Sequence, residues 1–205
     1  MNKDSLKIFK NIPTLKTDRL ILRKIECRDL SDVYEYTSDP LVPQYLMWHP
    51  HKTREYTKSY LRYIKKLYKK GKFYDWGIEF EGKLIGTVGF SSISVKNNSA
   101  EIGYVLNSKF WNKGIATEAV NEILKFAFSI LDIQRVEAIF LPENEKSRKV
   151  LIKCGMKFEG VRRSALLVKG EYRDVEMFSI IKADCFIYAR HTPTLQKTLK
   201  NSMRT

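Results

Sequence analysis

The segment 100–120 (AEIGYVLNSKFWNKGIATEAV) contains the residue pattern with the clearest chemical use. A strand-like run leads through the loop 111–116 into an amphipathic helix, whose first turn has free backbone N–H groups and the positive end of the helix dipole. The small residues Gly114 and Ala116 would let an anion approach that backbone closely. The junction therefore predicts a phosphate-binding site, although a plain strand-to-helix loop has the same composition. Neither GxxxxGK[ST] nor GxGxxG occurs, which argues against a P-loop or a Rossmann nucleotide site.

Hydrophobic periodicity predicts the elements that must position this loop. The order is β-α-α-β-β-β-α-β-α-β-β, without an internal repeat or a linker. The predicted strands span residues 19–25, 73–80, 83–95, 100–107, 134–141, 156–168 and 172–182, and the helices span 29–38, 53–70, 114–131 and 144–154. One domain is expected over 15–183, after a lead-in at 1–14 and before a basic tail at 184–205.

Composition narrows the class of protein. The 205 residues are 43% hydrophobic and 29% charged, which is an ordinary globular mix. Lys and Arg outnumber Asp and Glu by 37 to 23, so the net charge of +14 favours anionic partners such as a phosphorylated cofactor, RNA or acidic protein surfaces. Three cysteines without CxxC or Cys/His spacing argue against a disulfide scaffold or a metal site. With no leader and no 18-residue apolar window, a cytoplasmic protein is expected.

Three separated blocks resemble the GNAT N-acetyltransferases. The loop 111–116 is similar to their acetyl-CoA signature [QR]xxGx[GA], with Trp111 in place of Gln or Arg, and WNKGIATEAV resembles the ribosomal-protein alanine/serine N-acetyltransferase branch. Residues 17–23 match TxRLxLR. The block 142–163 is similar to PxNxxSxxxxxKxGFxxEGxxR at Pro142, Asn144, Ser147, Lys153, Gly155, Glu159, Gly160 and Arg163, with Met156 for Phe. The resemblance covers about 15–182.

The resemblance implies an α/β fold: a mixed, twisted sheet of about six or seven strands with helices on both faces. The strands at 100–107 and 134–141 would splay apart to admit the pantetheine arm of acetyl-CoA, and Gly103 suits the bulge that the family places there. The implied cofactor-binding residues are Tyr104, Val105, Leu106, Trp111, Asn112, Lys113, Gly114, Ile115, Ala116, Thr117, Asn144 and Ser147.

The resemblance also implies direct attack of an amine on the thioester in a ternary complex. Glu101 is the candidate base, acting through a water, although a surface strand carboxylate is an equal interpretation. A backbone N–H near Leu106 would polarise the carbonyl. Ser147 is the hydroxyl nearest the leaving thiolate, unless it is only a helix-surface serine. Leu151 and Leu166 stand where relatives can carry Tyr and Glu, which leaves the proton route open.

The cost of deprotonation helps to choose the acceptor. At pH 7 a lysine-type amine costs roughly 4.6 kcal/mol to deprotonate and an α-amine about 1–1.4 kcal/mol, so a site with one uncertain base favours the N-terminal α-amine of a protein or peptide. A ribosomal protein is the expected acceptor. The alternatives are a small-molecule amine (polyamine or aminoglycoside type) and a non-catalytic ribosome- or RNA-binding protein on the same fold.

Two further segments concern partners. Tyr45, Trp48 and His49 lie between the first two helices, which flank the acceptor in the family, and would line the acceptor site unless they are ordinary core residues. The segment Lys52–Lys72 contains nine basic residues and one acid. Its helix 53–70 is either a solvated face or a docking surface for RNA or the ribosome. The sequence leaves open whether the protein is a monomer or a homodimer.

Overall fold

The computed structural model describes the backbone of residues 3–184 and the side chains from residue 6 onward. All seven predicted strands and all four predicted helices are present, together with one additional two-residue strand. The strands are β1 (Leu15–Lys16), β2 (Leu20–Arg23), β3 (Asp75–Phe80), β4 (Lys83–Ser94), β5 (Ser99–Leu106), β6 (Arg135–Phe140), β7 (Lys157–Val168) and β8 (Glu171–Ile181). The helices are α1 (Leu30–Ser38), α2 (Arg54–Lys69), α3 (Ile115–Ser129) and α4 (Glu145–Lys153), and 3-10 turns span Lys3–Asn11, Cys27–Asp29 and Ser108–Phe110.

The eight strands form one sheet in the order β1-β2-β3-β4-β5-β6-β8-β7. Every neighbouring pair is antiparallel except β5 and β6. Those two parallel strands pair only over Ser99–Glu101 and Arg135–Glu137, whereas β5 stays paired with β4 as far as Leu106. Beyond Glu101 the two central strands therefore diverge, and the predicted splayed α/β sheet is confirmed.

Helices cover the two faces of the sheet unequally. On one face, Trp76 of β3 is fully buried and its ring lies 5.1 Å from that of Phe126 on α3. On the other face, Tyr68 of α2 donates a hydrogen bond to the carbonyl of Asp75 at the start of β3. Helices α1 and α2 thus cover this second face over β3 and β4, which leaves a groove over β5.

The first 3-10 turn belongs to the packed core. Phe9 is completely buried, with its ring 4.7 Å from Tyr74 and 5.9 Å from Trp76. The predicted lead-in is therefore held against the sheet, and the domain boundary at residue 15 stays a prediction. The predicted basic tail lies outside the described residues except for Asp184.

The expectation of a bulge at Gly103 is wrong. Gly103 pairs in register with Gly89, and the register shift between β4 and β5 falls between Phe90 and Ser92. The extra residue is therefore Ser91 of β4, whose hydroxyl turns onto the carboxylate of Glu101. None of the described helices is long and apolar enough to cross a membrane.

Candidate active site

The loop before α3 has the geometry of an anion site. Asn112 and Gly114 both have positive φ angles, of 60° and 75°. Gly114 is the N-cap residue of α3, and glycine adopts this left-handed conformation without steric cost. The first helical hydrogen bond runs from Glu118 N to Gly114 O at 3.0 Å, and the N-cap residue Gly114 offers no side chain to cap the helix. Among the described residues, the N–H groups of positions 115–117 therefore have no acceptor, and the loop at 112–114 is exposed. These groups fit a phosphate.

Trp111 holds this loop in place through its side chain. Its indole Nε1 donates to the carbonyl of Leu106 at 2.8 Å, and the ammonium of Lys146 lies 3.8 Å from the ring centroid. Its own backbone N–H is donated to Ser108 O at 3.2 Å. The residue that replaces Gln or Arg of the motif therefore links β5, the loop and α4, and its backbone N–H is hydrogen-bonded within the 3-10 turn.

Hydrogen bonds that the sequence analysis did not predict join the TxRLxLR segment at 17–23 to the loop before α3 and to its first turn. Arg19 donates from its Nε to Glu118 at 2.6 Å and from NH1 to the carbonyl of Lys113 at 3.0 Å, while the Thr17 hydroxyl donates to the same carboxylate at 2.5 Å. Burial raises the pKa of Glu118, but these hydrogen bonds outweigh it and lower the pKa overall. The joint occurrence of TxRL and ATEA was the available signal.

The edge of β5 that β6 leaves faces the first turn of α4. Asn144 caps α4 by accepting from Ser147 N at 3.2 Å, and the Tyr104 hydroxyl donates to the carbonyl of Ser147 at 3.3 Å. The Cys154 thiol contacts the carbonyl of Thr117 at 3.7 Å, which ties α4 to α3. Burial raises the pKa of Tyr104. The structure therefore brings Tyr104, Asn144 and Ser147 together beside the opening between β5 and β6 that begins after Glu101, which we call the slit.

The opposite face of β5 presents Glu101, Gly103 and Val105, which alternate with the residues facing α3 and α4. Glu101 is half-buried and accepts from the Ser91 hydroxyl at 2.5 Å. A Cβ built on Gly103 would meet no atom within 4 Å. The floor of the groove is therefore open above Gly103, with a carboxylate two residues away on the same strand.

The structure does not bring the three predicted acceptor residues together. Tyr45 packs against the small cluster of Leu141, Val168 and Val175 beside the β7–β8 hairpin, whereas Trp48 packs on the main core. His49 is exposed and forms no hydrogen bond with the described residues. Of the three, Tyr45 alone borders the cleft of about 340 Å³ between its loop and the hairpin.

Three further positions are packed against other side chains: His51, Leu151 and Leu166. His51 shares a hydrogen bond of 2.8 Å with the Thr57 hydroxyl, and burial lowers the pKa of its ring. Leu151 is buried in the core and Leu166 packs in the Tyr45 cluster, so neither position supplies a polar group.

Within the part of the chain that the structure describes, no three His, Cys, Asp or Glu side chains are placed to hold a metal ion.

Comparison with known proteins identifies the class. Residues 19–157 match the family model described as "Acetyltransferase (GNAT) domain", so the chain belongs to the GNAT acetyltransferase family and is an N-acetyltransferase. It is 34% identical to the uncharacterized N-acetyltransferase YoaA of Bacillus subtilis, with 83% of this chain and 97% of that protein aligned.

A relative of stated activity is more distant. The [ribosomal protein uS5]-alanine N-acetyltransferase of Escherichia coli is 26% identical over 85% of this chain and 94% of its own length. Among solved structures, a GNAT-family acetyltransferase from Bacillus anthracis superposes with a TM-score of 0.73 and 31% identity, covering 83% and 99% of the two chains. Related structures hold coenzyme A or acetyl-CoA.

Proposed function

We propose that this protein transfers the acetyl group of acetyl-CoA to the N-terminal α-amine of a protein or peptide, with a ribosomal protein as the acceptor. The observation that carries the proposal is the anion cradle at 112–117, which lies beside the slit between β5 and β6 in a GNAT chain. The acceptor is supported by the uS5-alanine relative and by the low cost of deprotonating an α-amine.

The cradle and the slit fit the two parts of acetyl-CoA. We assign the N–H groups of residues 112–117 to the pyrophosphate and the free edge of β5 at 104–106 to the pantetheine arm. Lys113 and Arg19 add positive charge beside the cradle, where Arg19 also holds the loop through the Lys113 carbonyl. Asn144 and Ser147 line the slit from the α4 side. Bound acetyl-CoA supplies an activated acetyl thioester.

The residues on the two sides of the slit divide the proton chemistry. Glu101, on the groove face, takes a proton from the attacking nitrogen through a water. Ser147, on the α4 side, offers its hydroxyl to the leaving thiolate. The amine and the thioester meet directly in a ternary complex.

Glu101→Gln is expected to lower kcat by about 100-fold, because the amide cannot accept the proton. The dissociation constant for acetyl-CoA should not change, since Glu101 lies away from the cradle. Steady-state kinetics and titration calorimetry measure the two quantities. Ser91→Ala is the matched control, because it removes the hydrogen bond of 2.5 Å to Glu101 and leaves the carboxylate. Full activity in Glu101→Gln would remove Glu101 as the base.

The acceptor is tested by following free-thiol release from acetyl-CoA with two pools of amines. One pool contains the N-terminal peptides of ribosomal proteins, and the other contains polyamines and aminoglycosides. Turnover with the peptides is the expected result. Turnover with small amines alone would overturn the ribosomal acceptor and keep the acetyltransferase, and failure to bind acetyl-CoA would favour the non-catalytic alternative.

The exposed face of α2 supports a docking role toward ribosomal RNA. Five basic side chains on it form no ion pair with any described residue: Lys58, Arg62, Lys65, Lys66 and Lys69. Tyr56 and Tyr63 on the same helix are 62% and 59% exposed, which adds stacking surface among the charges.

Charge reversal of this face should separate docking from catalysis. In Lys65→Glu/Lys66→Glu/Lys69→Glu, kcat/KM on an intact ribosomal particle should fall about tenfold or more, because phosphate contacts are lost. The same variant should acetylate the free N-terminal peptide at the wild-type rate. Equal rates on the particle and on the peptide would show that the face is only solvated.

A further inference from the structure

A row of three residues crosses the groove face of the sheet and has no role in the chemistry described so far. Asp75 of β3 pairs in register with Gly89 of β4, and Gly89 pairs in register with Gly103 of β5. Register partners on neighbouring strands share a face, so this row lies on the same face as Glu101, which is two residues before Gly103. The row thus runs from a carboxylate to the open floor of the groove.

The two glycines leave the carboxylate of Asp75 beside empty space. A Cβ on Gly89 would lie 2.2 Å from the main-chain oxygen of Tyr74 and 2.5 Å from both Cα and Oδ1 of Asp75, so the carboxylate lies beside Gly89 on the β3 side. A Cβ on Gly103, the next residue in the row, would meet nothing within 4 Å. Neighbouring strands are about 4.8 Å apart, so Gly103 lies one spacing beyond Gly89 and two spacings from Asp75. An ammonium group seated above Gly103 on the side of β4 would face the carboxylate.

Aromatic side chains surround this carboxylate, and no cation among the described residues pairs with it. Tyr36 of α1 and Tyr60 and Tyr68 of α2 face it. Burial raises the pKa of each of these phenols, and the negative charge of Asp75 raises it further. The Tyr68 hydroxyl donates to the main-chain carbonyl of Asp75 at 2.7 Å, not to its carboxylate. No described residue donates a hydrogen bond to the carboxylate, and the side chain is half-buried.

Nearby cations are engaged elsewhere. Arg23 lies on β2 opposite Gly77, two residues along β3 from Asp75. It donates hydrogen bonds of 2.8 and 2.9 Å to the carboxylate of Asp29 and also pairs with Glu79. Lys24 lies over the Tyr68 ring at 5.1 Å from its centroid. Burial raises the pKa of Asp75 to about 7. A carboxylate in this position, on the same face as the opening and with no partner among the described residues, suits a cationic group.

We infer that Asp75 and the space above Gly103 form the seat of the acceptor's terminal ammonium group, and that Asp75 takes the first of its protons. The inference rests on the proposed acetyl transfer to an amine and names where that amine binds. Glu101, farther along β5, takes the second proton.

The proton balance requires two acceptors. The ammonium group gives one proton to Asp75, which leaves a neutral amine and a carboxylic acid. The amine nitrogen then forms a C–N bond to the acetyl carbon and loses its second proton through water to Glu101. As the tetrahedral intermediate collapses, the C–S bond breaks and the electron pair leaves on the thiolate. Both carboxylic acids return their protons to water once the product has gone.

The same seat would select among amines. An α-amine with a pKa of 7.7–8.0 lies about one unit above an acid near 7, so the first proton transfer is uphill by a factor of about ten. A lysine side chain at about 10.4 is uphill by a factor of more than 10³. Asp75 therefore favours a terminal α-amine over a lysine ε-amine.

The decisive comparison is Asp75→Asn against the wild type, with whichever amine the wild type acetylates best. We expect kcat/KM to fall about 100-fold at pH 7 and the dissociation constant for acetyl-CoA to stay unchanged. In the wild type, log kcat/KM should show a limb near pH 7 in addition to that of the amine's own ionisation. In the variant only the amine's limb should remain. The matched control is Glu81→Gln, in the turn at the far end of the same hairpin.

Stability provides a check that the variant folds. Because the folded-state pKa of Asp75 is raised above its unfolded value near 3.8, the folded state holds more protons between pH 4 and pH 7, and stability falls as the pH rises through that window. Asp75→Asn should therefore melt at a higher temperature than the wild type at pH 8 and at a similar temperature at pH 4. A loss of activity with a raised melting temperature cannot be attributed to unfolding.

A second variant tests the space itself. Gly103→Ala adds a methyl group that meets no described atom within 4 Å beyond its chain neighbours, so it should fold normally and yet raise KM for the amine at least tenfold. Wild-type rates in both Asp75→Asn and Gly103→Ala would overturn the seat while leaving the acetyltransferase intact. If the wild-type protein acetylates polyamines but not peptides, the proposed acceptor is wrong. The comparison of Asp75→Asn with the wild type is then made with the polyamine as substrate. Absence of turnover with every amine would overturn both.

Discussion

Replacing Ala116 by glutamate is expected to abolish the binding of acetyl-CoA. Ala116 is the second residue of α3 and half-buried at the rim of the cradle, where the N–H groups of 115–117 have no acceptor in the described chain. A carboxylate at this position competes for those donors and repels the pyrophosphate. Loss of several charge-assisted hydrogen bonds, each about 1.5–3 kcal/mol, corresponds to an affinity at least 100-fold lower by titration calorimetry.

The variant should remain folded, because a negative charge in the first turn of a helix stabilises it through the dipole. Asn121→Glu, on an exposed position of the same helix, adds the same charge away from the loop and should bind acetyl-CoA normally. An unchanged affinity in Ala116→Glu would refute the phosphate site at this loop and with it the proposed cofactor geometry.

The largest loss of stability is expected from Arg23→Ala. Arg23 forms a bidentate pair with Asp29, whose side chain is 5% exposed, and a second pair with Glu79 at 19% exposure. Removing the guanidinium leaves a buried carboxylate without its cation, which typically costs 3–5 kcal/mol. For a domain of this size the melting temperature should fall by about 6–20 °C in calorimetry.

Arg28→Ala is the matched control a few residues away. Arg28 pairs with Glu26 at 2.6 Å, but the two side chains are 72% and 48% exposed, so solvent screens the pair and its loss should cost under about 1 kcal/mol. Equal effects of the two substitutions would mean that burial of the Asp29 carboxylate does not determine the stability of this corner.

Much of the fold follows from local patterns. The long strands and the amphipathic helices show clear periods of 2 and 3.6, so their limits are predicted within a few residues. The two-residue strand β1 is too short to show any period. The turn Lys3–Asn11 reads as a polar leader because the contacts of Phe9 are with Trp76, Phe90 and Phe126, which are far away in the chain.

The candidate site likewise has features that local sequence predicts and features that depend on contacts distant in the chain. The cradle before α3 is local and could be predicted from its glycine and the helix that follows. The position of the bulge could not, because Ser91 rather than Gly103 absorbs the extra residue of the β4–β5 ladder. Asp75 carries no motif, since its importance depends on the register of three strands. Tyr45 and Trp48 are neighbours in the chain, but a turn directs them to different clusters.

The three paired positions between β5 and β6 also decide where the molecule is mechanically soft. The sheet consists of a block of five strands and a block of three, and among the described strands only this short seam of main-chain pairing joins the two blocks. Opening the slit stretches few bonds, whereas shearing either block breaks a full ladder. The slit is therefore the place where main-chain pairing between described strands is shortest, and a ligand bound to both of its edges would add contacts between the two blocks.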